Sequence, residues 1–193
     1  MSNKKPGSML PREFKTLAKE SVYRSARVEL QHHKVELPDG NIVDDWAYVL
    51  ASDAVLLVCQ RNDGKFLVLR HHKYAISDCV HGPVGGAVDR DESPIDAAKR
   101  ELLEETGMQA AWWRCLGESV LDPNRYVGRV HCYLVRELTR VHDQPLAPDC
   151  ENPDLVWVTE QELREIAIKE SSVASWKLAF LLAIESLRDT ESV

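Results

Sequence analysis

Ser93 and Gly107 bracket a segment with few conformational choices. Ser93 is a natural N-cap, Pro94 fits the first helical position, and Asp96 supplies a capping-box-like acid. Ile95, Ala98 and Leu102 recur at spacings of three and four, so one face of the helix is apolar. Gly107 ends it, because glycine takes a left-handed cap without a Cβ penalty. At about 100° per residue, Glu101, Glu104 and Glu105 share an arc roughly 100° wide. A solvated acidic face is the ordinary reading of a charge run, and it fits badly here. Like charges at i,i+3 and i,i+4 repel by about 0.2–0.5 kcal/mol per pair. The helix dipole disfavours each anion in the last turns by roughly 0.3–1 kcal/mol. No Lys or Arg follows within reach to neutralise them. Bound cations would remove the conflict, and clustered carboxylates are hard oxygen ligands suited to Mg²⁺ or Mn²⁺.

Around this helix the pattern is mixed. Residues 1–12 read as a flexible tail, and strand-like material runs from Ser21 to Leu50, interrupted by the turn Pro38-Asp39-Gly40-Asn41. Ala54–Gln60 is a continuous apolar run, the mark of a buried strand, and Asn62-Asp63-Gly64 turns it back into Lys65–Arg70. Residues 75–92, rich in Gly, Asp and Pro, read as a loop. Further strands are expected over Ala111–Val120, Gly128–Val135 and Leu155–Val158. Val173, Trp176, Phe180, Ile184 and Leu187 form a helical stripe whose ordinary role is core packing. Interleaved strands and helices place the chain among the α/β (α+β) folds.

Composition narrows the function. A net charge of -7 is a poor basis for non-specific nucleic-acid binding, so no nucleic-acid partner is expected. Five cysteines without a CxxC pair argue against a disulfide framework or structural zinc, and four of them sit in apolar stretches as small core residues. With no secretory h-region and no apolar run near the roughly 20 residues a bilayer needs, the expectation is a cytoplasmic protein without membrane contact.

The spacing around the glutamates is more specific than their charge. From Gly86 there are five residues, then Glu92, seven more, then Arg100-Glu101-Leu102, one residue, Glu104-Glu105, Thr106, Gly107 and Met108. This resembles the Nudix signature G-x5-E-x7-R-E-U-x-E-E-x-G-U, with U aliphatic, at all nine specified positions across 23 residues. The resemblance implies a Nudix fold, a mixed β-sheet sandwiched between helices, and magnesium-dependent hydrolysis of a diphosphate bond in a nucleotide derivative. It implies that Glu101 and Glu105 are the principal metal ligands, with the carbonyl of Gly85. Glu104 would share a metal or hold its water. Arg100 and Glu92 would pair to brace the loop against the helix. The general base is often on a loop near the C-terminal strand, and Glu151 matches best by its distance from Leu155–Val158.

Features outside the motif resemble the ADP-ribose pyrophosphatase group. Pro123 lies sixteen residues beyond Gly107, and Val35–Gly40 followed by a strand is similar to that group's N-terminal β-subdomain. Arg70-His71-His72-Lys73-Tyr74 aligns loosely with its Arg-Gln-Tyr-Arg segment; His71 and His72 read as surface or packing residues. The implied layout is a dimerising β-subdomain over 13–50 and a hydrolase domain over 51–193, in a homodimer. Arg70, Lys73 and Pro123 are candidate substrate contacts, as is Trp46, whose indole suits base stacking although a strand tryptophan is more often core. Two departures stand out. The group's Glu four residues before the motif glycine is Gly82 here, and its Pro-Ala-Gly is Val84-Gly85-Gly86. ADP-ribose is the first expected substrate, with GDP-mannose or another sugar nucleotide as the alternative. A non-catalytic ligand sensor is a further alternative, and it fits poorly with a full set of motif carboxylates.

Overall fold

A computed structural model describes residues 13–143 and 153–191. The chain divides into two compact units. One contains the described residues through Ala51 together with Asp122–Gly128, and the other contains Ser52–Leu121 and the residues from Arg129 onward.

In the first unit, β1 (Lys15–Arg24), β2 (Val28–Glu36) and β3 (Ile42–Ala51) are successive antiparallel strands. Strand structure thus begins at Lys15, ahead of the expected Ser21. The turn after β2 closes as its sequence demands: the Gly40 N–H donates to the Leu37 carbonyl at 2.9 Å, and the Asn41 N–H donates to Asp39 Oδ1 at 2.9 Å. Every residue of β1 is exposed, including Leu17, Val22 and Tyr23. In the short segment of this unit, Asp122 Oδ1 accepts the N–H groups of Asn124 and Arg125 at 2.7 and 2.6 Å, turning the chain at Pro123. Tyr126 and Val127 then take positive φ values of 73° and 60°, a costly conformation for a β-branched residue. Ring stacking accompanies it: His33 on Tyr48 at 4.5 Å, and Tyr48 on Tyr126 at 5.5 Å.

The second unit is built from β4 (Ala54–Gln60), β5 (Phe66–Lys73), β6 (Ile76–Gly82), β7 (Val84–Ala87), α1 (Pro94–Thr106), β8 (Met108–Asp122) as far as Leu121, β9 (Tyr126–Arg140) from Arg129 onward, β10 (Asp154–Val158), α2 (Glu160–Lys169) and α3 (Ala174–Glu191). Strand β4 is its centre. It pairs parallel with β9 from Ala54↔Val130 to Cys59↔Val135, and antiparallel with β7 at its start and β5 at its end. Strand β5 also carries β6 and β10, and β8 pairs with β9. Successive side chains of β4 point to opposite faces. Leu56 and Val58 join Phe66, Val68, Leu163, Phe180 and Ile184 on the α2–α3 face. Val55 and Leu57 join Leu67, Leu69, Ala97, Ala98 and Leu102 on the α1 face. The mixed sheet therefore lies between helical layers, as the α/β reading required.

Two expectations need correction, and one helix goes beyond them. Residues 75–92 are not one loop, because β6 and β7 occupy Ile76–Gly82 and Val84–Ala87. Their glycines and His81, with Pro83 between them, hide strands that are held by pairing to β5 and β4 rather than by propensity. Helix α2 went unread although Thr159 and Glu162 form a reciprocal capping box before it. Of the cysteines, only Cys59 and Cys132 are buried; Cys79 is intermediate and Cys115 exposed, while Cys150 lies outside the described residues.

Candidate active site

Helix α1 begins and ends where its sequence directs. Ser93 accepts the Asp96 N–H, and Gly107, at φ 68°, donates to the Leu103 carbonyl at 2.9 Å. The buried face carries Ala97, Ala98 and Leu102, so the glutamates are directed along the flank of the helix toward β7.

Two glycines of β7 allow close approach, Gly86 to the helix flank and Gly85 to the neighbouring strand β4. A Cβ at Gly86 would collide with the Glu101 carboxylate, and one at Gly85 would collide with the Val55 carbonyl. Glu101 thus lies directly against the backbone of β7. Glu105 is tied to the same place, because its Oε2 accepts the Gly85 N–H at 2.8 Å.

Arg100 holds the rest together. Its Nε and Nη2 donate to the two oxygens of Glu92 at 3.0 Å each, and Nη2 also donates to the Ala87 carbonyl at 2.9 Å. Nη1 donates to Glu101 Oε1 at 2.7 Å and Glu104 Oε2 at 3.1 Å. The charges respond accordingly. Arg100 holds the Glu92 carboxyl below the usual range. Burial pushes the Glu101 carboxyl above it, in spite of the arginine.

The cation that meets the glutamates precedes them in the helix. Arg100 reaches two of them from one helical turn or less away. Arg140, far along the chain, places Nη1 3.4 Å from the Thr106 carbonyl at the helix end. There the Gly107 carbonyl also accepts the N–H groups of Val141 and His142 at 2.9 and 3.1 Å. Thr106 donates its hydroxyl to Leu102 O and accepts the Met108 N–H, which rivets the last turn.

Among the described residues, no three His, Cys, Asp or Glu groups converge on one point as a ready metal cage. The donor chemistry nevertheless fits a hard dication. Two carboxylate oxygens lie within 3.1 Å of the single cationic atom Arg100 Nη1, so positive charge already stands between them. Glu101 is held in a partly desolvated position that disfavours its ionised form, which a bound cation would reverse.

The other candidates are more scattered. Arg70 is exposed on β5, paired in register with His81 and Asp154. Lys73 lies with Nζ 5.9 Å from the ring centre of Trp176. That indole also explains one departure from the group's pattern: a Cβ at Gly82 would come within 2.9 Å of it. His71 is buried and stacks on the same ring at 5.7 Å, a packing role. Trp46 belongs to the first unit, where its indole N–H donates to the Asn124 carbonyl at 2.7 Å, beside Pro123. Glu151 lies outside the described residues.

Sequence reasoning passed over Asp53, Glu118 and His131. The available signal was a histidine inside the apolar strand run Val130–Val135. His131 Nε2 is 3.6 Å from Asp53 Oδ2, and its Nδ1 is 3.7 Å from Glu118 Oε2.

Residues 50–179 match the NUDIX domain. The chain belongs to the Nudix family. Among its relatives, the methanol dehydrogenase activator of Bacillus methanolicus is 25% identical, over 94% of this chain and 96% of that protein. The ADP-ribose pyrophosphatase of Bacillus subtilis (strain 168) is 24% identical, over 92% of this chain and 95% of that protein. A solved structure described as an ADP compounds hydrolase superposes with a TM-score of 0.81 at 21% identity, over 96% of this chain and all of that one; it shares the fold. The Nudix domain here keeps every motif carboxylate, and the chain is a Nudix hydrolase.

Proposed function

We propose that this Nudix hydrolase cleaves the diphosphate bond of a nucleoside diphosphate sugar, ADP-ribose preferred, with Mg²⁺ or Mn²⁺ as cofactor. One observation carries the reading: three glutamates of α1 are drawn onto Gly85 and Gly86 or onto the Arg100 brace, in a chain similar throughout to a protein named ADP-ribose pyrophosphatase. Glu101, Glu105 and the Gly85 carbonyl are the proposed principal ligands, and Glu104 shares a cation or holds its water. A cation bound there supplies Lewis acidity, neutralising the diphosphate and lowering the pKa of the attacking water. Arg100, clamped by Glu92 and Ala87, keeps the loop and helix in fixed relation, so the carboxylates need little reorganisation. Glu151 is the proposed general base. Arg70, Lys73, Trp46 and Pro123 are the proposed substrate contacts.

GDP-mannose is the second reading, favoured by Gly82 under Trp176 where the resembling group carries a glutamate. A purely regulatory role, which the name of the B. methanolicus relative raises, fits less well with a complete carboxylate set. Exposed Leu17, Val22 and Tyr23 on β1 support a homodimer through the first unit. Free cysteines at the four described positions support a reducing, cytoplasmic setting. No described helix is long and apolar enough to cross a membrane, and the net charge of -7 argues against a nucleic-acid partner.

A substrate panel tests the reading: ADP-ribose, GDP-mannose, UDP-glucose, NADH, 8-oxo-dGTP and diadenosine polyphosphates with Mg²⁺. The expected result is the highest kcat/KM on ADP-ribose, with GDP-mannose second. A nucleoside triphosphate as best substrate would overturn the substrate class.

A further inference from the structure

Strand register brings a second polar group onto the face that holds the motif helix. Val55 pairs with Gly86 on one side and with His131 on the other. Residues in register across neighbouring strands project to the same face, and strands lie about 4.8 Å apart. His131 therefore shares the face of Val55, whose side chain packs in the core under α1. It stands two strands, roughly 10 Å, from the glycine against which Glu101 lies.

His131 is not alone there. Asp53 and Glu118 flank its ring at 3.6 and 3.7 Å, and Arg129 Nη1 donates to Glu118 Oε1 at 2.7 Å. Asp53 is fixed by the backbone: its Oδ1 accepts the Arg129 N–H at 2.8 Å, and its carbonyl accepts the Val88 N–H at 2.8 Å. His131 Nε2 is buried without a hydrogen-bond partner, although the ring keeps 14% of its side-chain exposure. Glu118 keeps 54%. Around the imidazole the group holds two carboxylates against one guanidinium, an excess of acidic side chains. Such a group repels a further phosphate. It suits hydroxyls, which donate to carboxylate oxygens and can either donate to or accept from an imidazole nitrogen.

We propose that His131 and Glu118, positioned by Asp53, determine specificity by receiving the hydroxyls of the substrate's sugar half. This rests on the nucleoside diphosphate sugar reading and deepens it. The chain would select against nucleoside triphosphates because their terminal phosphate meets this carboxylate-rich group where a neutral polyol fits.

The test compares ADP-ribose with the methyl ester of ADP, which keeps the diphosphate diester and lacks the sugar, on wild-type, Glu118→Gln and His131→Gln proteins. Circular dichroism and melting temperature check that each variant is folded; exposed Glu118 provides the variant least coupled to folding. The expected result is a loss in kcat/KM of about tenfold or more on ADP-ribose, carried by KM, as for a lost hydrogen bond to a charged group. On methyl-ADP the variants should stay within about twofold of wild type. Equal losses on both substrates, or no loss on ADP-ribose from folded Glu118→Gln, would overturn the inference and leave the substrate class standing. Wild-type protein that turns over neither compound, while hydrolysing a triphosphate, would overturn both.

Discussion

Glu105 is the residue on which the chemistry should turn. Its carboxylate is anchored to Gly85 and belongs to the electrostatically crowded end of α1. Glu105→Gln should keep the fold and lose turnover by at least the roughly 10–100-fold typical of disturbing a metal ligand's partner. Near-wild-type rates at saturating Mg²⁺ in a folded variant would refute its assignment. Glu101 offers a pH test in chelator. Burial raises its carboxyl above the usual value, so the ionised form destabilises the folded state at neutral pH. That cost disappears as pH falls through the raised folded value and below the ordinary carboxylate range. Glu101→Gln should therefore melt higher than wild type at neutral pH without metal, and the difference should vanish toward acid pH. A gain that persists unchanged at acid pH would mean that repacking, not charge, is responsible. At this scale the sequence was informative wherever a residue's reason is local: Ser93, Gly107 and the i,i+4 glutamates could all be read directly. It was silent where the reason is a distant neighbour. Gly82 looked like a departure and is a seat for Trp176; Arg140 reaches the end of α1 from another strand.

Among the elements, α1 and β7 act as one piece. Gly86→Ala places a methyl group where the Glu101 carboxylate lies, so that carboxylate must swing away from β7. The expected variant is folded, with a lower Mg²⁺ affinity and a loss of turnover of roughly tenfold or more. Unchanged metal dependence would show that the contact is incidental. Helix α2 provides the contrast. Thr159→Ala removes one arm of its capping box and should cost about 1 kcal/mol of stability in denaturant titration while leaving kcat/KM unchanged. Strands with a continuous apolar run, such as β4, and the capped helix α1 were legible because their periodicity is strong. Strands β6 and β7 were not, since their glycines and histidine suit a strand only in the presence of its partners.

For the whole molecule, a cation held by the α1 carboxylates should add to stability. A cation that binds only the folded state adds about 2.7 kcal/mol at a hundred times its Kd. Mg²⁺ or Mn²⁺ should raise the melting temperature of the wild type and do so much less for Glu101→Ala; equal shifts would place the metal elsewhere. The family and the helix–sheet–helix layering were open to inspection in 23 residues and the strand pattern. The Asp53–His131–Glu118 group was not, because β8, β9 and the start of β4 meet only through sheet pairing. The most direct measurement is chromatographic identification of the products from ADP-ribose, with Mg²⁺ and with excess chelator. The expected products are AMP and ribose 5-phosphate in equal amounts, with no free inorganic phosphate and no reaction in chelator. Release of inorganic phosphate, undiminished turnover in chelator, or no cleavage of ADP-ribose would contradict the proposed reaction.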